Sequence, residues 1–305
     1  MGMTTLTDPA TVTYSKGPDS LSPIPLVYFK PKGFDNLGDF LGRYIVEKMS
    51  GRPTCAGNPE VHKDILLTVG SIIVSRLPDG CTFWGSGFIS ARGTPNPANR
   101  FLAVRGPMTL ARLRACGVEP PRAIGDPALL LPLLYRPKPS TRKYRLGVIP
   151  HYVDLGQFLQ RARSSILARK DDVAVMKIAT ANVEGFIDVL TQCEMVVSSS
   201  LHGVILAQAY GIPALWVQFS HGVIGGGFKF RDYFLSVSIG PYEGPMMDVG
   251  PIDLDRLQVV AQSNLHLMRI NNFDPRPLLM TCPFIDQGRR TALMAADGLP
   301  WTMPT

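Results

Sequence analysis

Two runs of short apolar strands alternating with helix-like segments predict an α/β fold. The expected form is two Rossmann-like domains whose mainly parallel sheets face a cleft. Three observations carry this. The first run extends from Leu26 to about Leu130; the second restarts at Leu146; between them Arg136 to Arg145 reads RPKPSTRKYR, a basic, proline-containing linker. With 305 residues, 45% hydrophobic and 18% charged, the chain can fill two medium domains. The division expected is a flexible N-terminal tail over 1–24, an N-terminal α/β domain over 25–138, a C-terminal α/β domain over 139–270 and a proline-rich C-terminal extension over 271–305.

In the first run Leu26 to Phe29 reads as a strand, and Phe40, Leu41, Tyr44, Ile45 and Met49 keep helical spacing. Ile65 to Val69 and Thr82 to Trp84 are strands, each running into glycine and serine. Phe101 to Val104 is another, and Pro107 sits where proline is accepted at a helix start, opening a helix over Met108 to Cys116. In the second run the expected strands are Leu146–Ile149, Val173–Ile178, Cys193–Val197 and Ala214–Val217. Helices are expected over Leu155–Lys170, Val183–Gln192 and Leu201–Tyr210.

The net charge of +7 favours acidic partners, but no nucleic-acid-binding module accompanies it, so nucleic acid is not expected. The five cysteines are scattered, without a CxxC pair or a metal-like cluster, so no metal site or disulfide framework is expected. No apolar run reaches the roughly 18 residues that span a bilayer. The N-terminus matches neither a signal peptide nor a myristoylation site, and a cytoplasmic protein is the default expectation.

The chemistry concentrates in Ser198-Ser-Ser-Leu-His-Gly203, between a strand and a helix. Serines can cap a helix, and a helix N-terminus presents free N–H groups and a positive dipole end to a phosphate or carboxylate. His202 falls in that first turn and is able to donate to the same anion.

Asn36-Leu-Gly-Asp39, Phe83-Trp-Gly-Ser-Gly87, Val104-Arg-Gly-Pro107, Gly125-Asp-Pro-Ala-Leu-Leu130, Ile149-Pro-His151, Ser198 to Gly203 and Ala209-Tyr-Gly-Ile-Pro213 occur in that order. The ordered set resembles the polysaccharide pyruvyl transferase family, and within it the xanthan-type ketal-pyruvate transferases. The resemblance implies a GT-B-like two-domain fold with phosphoenolpyruvate as donor and no cofactor. It implies transfer of pyruvate as a ketal to two hydroxyls of one sugar of an exopolysaccharide repeat, with phosphate released. It also implies a glycan acceptor on a polyprenyl lipid and peripheral contact with an anionic membrane at its inner face. Two other readings stand beside it: a nucleotide-sugar glycosyltransferase of the same fold, and a non-catalytic polysaccharide-assembly protein.

An Arg-Leu-His triplet in family members implies Leu201 and His202 here as donor-binding, but this chain has Ser200 in place of the arginine. Arg105 is then the first candidate for the donor's cation, a domain-interface ion pair being the other role open to it, with Lys229 and Arg231 next; Ser199, Ser200 and His151 complete the expected donor side. His202 is also a candidate for proton transfer. Asp39 is either a base for a sugar hydroxyl or a helix cap, and Asp126 either an acceptor contact or a turn former. Asn36, Asp39, Ser86 and Asp126 form the expected acceptor side.

Overall fold

The computed structural model describes residues 22–138 and 141–296; most of the expected tail, Pro139 and Ser140 of the linker, and the last nine residues lie outside the described residues. The first sheet has six strands in the order β2-β1-β3-β4-β5-β6. They are β1 (Ile24–Leu26), β2 (Thr54–Ala56), β3 (Leu66–Leu67), β4 (Thr82–Ser86), β5 (Arg100–Val104) and β6 (Ala123–Ile124). The second has four, in the order β10-β9-β7-β8: β7 (Leu146–Ile149), β8 (Val173–Val175), β9 (Val196–Ser198) and β10 (Ala214–Trp216). The pairings in both sheets are parallel, so the expected α/β class is borne out.

The helices in chain order are α1 (Leu37–Ser50), α2 (Pro107–Ala115), α3 (Leu131–Leu134), α4 (Leu155–Arg161), α5 (Arg163–Ala168), α6 (Val183–Leu190), α7 (Leu201–Ala209), α8 (Phe228–Ser236), α9 (Leu254–Ser263), α10 (Arg276–Met280) and α11 (Gln287–Ala295). Successive strand residues feed opposite layers, as the two-residue period of a strand requires. Leu66 and Trp84 point into a central apolar layer while Leu67 and Phe83 point to the outer face of the first sheet. Val196 and Trp216 join the same central layer, and Val197 and Leu215 the outer face of the second. The central layer is therefore shared by both sheets. Every residue of α7 is buried there, which fits a helix apolar on all sides.

Some elements differ from expectation. The first strand begins at Ile24, earlier than the apolar run suggested, although Val27 still donates its N–H to Leu66 O at 3.0 Å. The expected helix over 155–170 divides at Ala162, whose φ of −94° and ψ of 0° leave helical geometry. Strand β2 went unread because only Thr54 of its three residues is buried, leaving no alternation to see. The glycine-flanked segment around Lys229 forms α8.

Helix α8 follows β10 in the chain and stacks Phe230 on Trp216 of that strand, yet it also packs against the first sheet's side and α2. Arg105, at the end of β5, reaches Asp232 of α8 with its Nε at 3.1 Å and its Nη2 at 3.0 Å, and both side chains are fully buried. Arg105 also donates to Phe88 O and to Ser71 Oγ, each at 2.8 Å. Asp232 accepts from the N–H and hydroxyl of Thr109 at 2.9 and 2.7 Å. A methyl at Gly87 would overlap the Arg105 guanidinium, and one at Gly106 would overlap Asp232. Those two motif glycines are thus explained by room for this ion pair.

Breaking one side of a buried ion pair leaves the other charge uncompensated. Arg105→Ala is expected to cost about 3–5 kcal/mol in urea unfolding, and an apolar pair, Arg105→Met with Asp232→Leu, to recover most of it. A loss under about 1 kcal/mol for the single variant would show that the pair does not hold α8 in place.

Candidate active site

A cavity of about 360 Å³ opens between the two sheets at the carboxyl ends of their strands, where ligands bind in parallel α/β folds. Its first-sheet wall comes from the segments following β1 and β3, with Val27, Phe29, Leu67, Gly70 and Ser71, and from Asn36 and Asp39 at the start of α1. Its second-sheet wall is His151 and Tyr152 after β7, and Ser200, Leu201 and His202 at the start of α7. Gly222, Ile224 and Lys229 close it from the loop and first turn of α8.

The serine run takes a different part from the capping expected of it. Ser200 occupies the cap position with extended backbone but makes no side-chain cap bond. Ser198 Oγ donates towards Ile149 O at 2.8 Å and accepts from Ser200 N at 3.0 Å. Ser199 Oγ donates to Asp154 Oδ2 at 2.5 Å and accepts the His151 N–H at 2.9 Å. The serines therefore lace the β7 and β9 ends together. No side chain among the described residues claims the first N–H groups of α7, which leaves that positive terminus facing the cavity.

His202 enters from the first turn of α7. A methyl at Gly38 would overlap its Nδ1, so the glycine of Asn36-Leu-Gly-Asp39 gives the imidazole its place beside α1. On the other side, His202 Nε2 lies 3.6 Å from Asp126 Oδ2. Asp126 is fully buried, and its Oδ1 accepts the Ala128 N–H at 3.0 Å, the turn-forming role open to it from sequence.

Three further ionisable groups share the cavity with His202. Lys229 is 8% exposed, and burial, with Arg105 nearby, lowers its pKa from 10.5 to about 8 against the opposing pull of Asp39 and Asp154. Burial lowers the His151 pKa to about 3, helped by Lys229 and His202, so His151 is neutral across the physiological range. Burial raises the Asp39 carboxyl above its ordinary range, countered by a 2.5 Å hydrogen bond from Asn36 Nδ2 and by the charges of His202 and Lys229. Desolvated groups of both signs converging in a cleft are suited to binding an anion and moving protons.

Of the residues singled out in the sequence, Asn36, Asp39, His151, Ser200, Leu201, His202 and Lys229 line this cavity. Five others do not line it. Arg105 is enclosed in its pair with Asp232, and Asp126 lies behind His202. Ser86 is fully buried, its hydroxyl bonded to Thr68 O between β4 and β3. Ser199 is turned to Asp154, and Arg231 pairs with Glu243 at 2.7 Å and bonds Gly226 O. Sequence reasoning passed over Arg76, an exposed cation on the cavity rim, and Tyr152. The signal for Arg76 was available: it lies in the loop that follows Ile65–Val69, at a strand's carboxyl end.

Residues 95–221 match the polysaccharide pyruvyl transferase family. The chain is 29% identical over 206 residues to the uncharacterized protein L143 of Acanthamoeba polyphaga mimivirus, covering 65% of this chain and 69% of that protein. It is 25% identical over 222 residues to the succinoglycan biosynthesis protein ExoV of Rhizobium meliloti (strain 1021), covering 70% of this chain and 65% of that protein. The chain thus spans about two thirds of the length of these curated relatives. The matched segment contains β7, β9 and the start of α7, so one wall of the cavity is built from the part of the chain that is similar to the polysaccharide pyruvyl transferase family.

Proposed function

We propose that this cavity transfers pyruvate from phosphoenolpyruvate to two hydroxyls of one sugar in an exopolysaccharide repeat, forming a ketal and releasing phosphate. The observation that carries the reading is the convergence of Lys229, His202 and the unclaimed N–H groups of α7 on one cavity, in a chain whose residues 95–221 match the polysaccharide pyruvyl transferase family. That is an anion site with a proton donor in it. The lipid-linked acceptor and the inner membrane face belong to the same reading; no described helix is long and apolar enough to cross a membrane.

Ketal formation from an enol phosphate needs a proton on carbon three, a nucleophilic hydroxyl at carbon two and departure of phosphate before the second hydroxyl closes the ring. Lys229 takes the place of the family's arginine as the donor's buried cation, with Arg76 at the rim. His202 donates to the bound anion and supplies the proton to carbon three. Asp39, held by Asn36 and with its pKa raised, accepts the proton of the attacking hydroxyl. Neutral His151 contacts donor or sugar without adding charge.

Calorimetric titration with phosphoenolpyruvate, beside a panel of nucleotide sugars, tests the donor. Saturable binding of phosphoenolpyruvate, lost in His202→Ala, is expected; binding of a nucleotide sugar in its place would move the chain to the glycosyltransferases.

The Lys229 pKa fixes a pH dependence. The ammonium is the binding form, so affinity is full below pH 8 and falls through it, by about tenfold for each unit above. In Lys229→Met this slope is expected to vanish with the affinity already low; an unchanged slope would remove Lys229 from the donor site. Gly38→Ala, which pushes the imidazole from its seat, is expected to lower turnover about 100-fold, and a variant with near-normal turnover would show that His202 need not sit there.

A further inference from the structure

We infer that Asp126 is a positioning residue that holds His202 with its proton on Nε2, so that Nδ1 is the nitrogen that works in the cavity. Asp126 Oδ2 and His202 Nε2 are both enclosed, neither has a hydrogen-bond partner among the described residues, and they face each other at 3.6 Å. A buried carboxylate oxygen and a buried ring nitrogen without other partners are costly unless they satisfy one another. An ionised carboxylate only accepts, so the nitrogen must be the donor. Asp126 Oδ1 is already committed to the Ala128 N–H, which fixes the orientation of the carboxylate. Gly38 fixes the other side of the ring, beside Nδ1. Asp39 from α1 and His151 after β7 interact electrostatically with the ring, Lys229 from α8 and Tyr152 share its cavity, and Tyr233 of α8 lies near enough to Asp126 for the carboxylate to raise its pKa.

The consequence for the chemistry rests on the reading of the site as a pyruvyl transferase. An arriving phosphate favours imidazolium, and the second proton, taken from solvent, enters at Nδ1. When the enol π-electrons form the new bond from carbon three to that hydrogen, the Nδ1–H bond breaks and its electron pair stays on nitrogen. The ring returns to the neutral Nε2–H form, still held by Asp126.

Multiple-bond proton–nitrogen NMR on ¹⁵N-histidine-labelled protein tests this, recorded at a pH where the ring is neutral and with His202 assigned by loss of its signals in His202→Gln. The wild type is expected to show the Nε2–H tautomer. In Asp126→Asn the side-chain carbonyl keeps the Ala128 N–H, the amide NH₂ then faces Nε2, and the proton is expected to move to Nδ1. An Nδ1–H tautomer in the wild type overturns the inference, as does an unchanged Nε2–H tautomer in Asp126→Asn. If that variant fails to fold, the wild-type signature decides alone. With phosphoenolpyruvate as donor, Asp126→Asn is expected to lose about 100-fold in turnover while donor affinity changes less than about threefold. A chain that ignores phosphoenolpyruvate yet shows the tautomer switch would keep the Asp126–His202 assignment and discard the donor.

Discussion

The placement of the cavity depends on an ion pair outside it. Arg105 and Asp232 lie away from water, joined by two close nitrogen–oxygen contacts and braced by Thr109, Ser71 and the Phe88 carbonyl. A charged pair so enclosed is tolerated only when nearly every donor and acceptor is met. This one is met by groups from β5, α2 and the segments after β3 and β4, all belonging to the first sheet's side of the molecule. Asp232 comes from α8, which the chain enters directly from the second sheet's side. Three residues before Asp232, on the same helix, stands Lys229. The pair thus sets where the cavity's buried cation is held, and its nearby guanidinium helps to lower that cation's pKa.

The opposite wall is set by burial. Helix α7 has no exposed face, so it is fixed between the sheets, and its first turn has one direction in which to point. Close approach does the rest. Gly38 is bare where His202 passes, and Gly203 is bare where α7 packs on Ser198 and Ile149. Ser198 and Ser199, which might have closed the helix end, instead tie strand ends together, and the N–H groups left unclaimed give the cavity its positive end.

Much of this was legible in the sequence. The alternation of strands and helices, the parallel pairing it demands and the site at Ser198 to Gly203 follow from periodicity and from small residues at strand ends. His202, Asp39, Asn36, His151 and Lys229, singled out from loops at strand carboxyl ends and from the family resemblance, line one cavity. Arg105 was misplaced for a physical reason. A strand-end arginine before a glycine and a proline looks the same whether it faces a ligand or a partner 127 residues away, and only the tertiary structure supplies Asp232. The same distance hid α8. Its glycine-rich approach reads as a loop, and its burial comes from α2 on one side and from Trp216 and Tyr242 on the other.

The return of the chain to its beginning has a consequence for recombination. After the second sheet is complete, α10 and α11 come back to the first: the Trp84 indole N–H donates to Leu278 O at 3.0 Å, and Arg289 reaches Met49 O at 3.2 Å. With α8 also crossing over, the two halves are interleaved rather than concatenated. Grafting the first-sheet wall of a relative onto this second-sheet wall therefore cannot be done with one crossover in the 136–145 linker. The exchanged unit has to carry α8, α10 and α11 with the first sheet, so useful chimaeras need several junctions where a beads-on-a-string protein would need one.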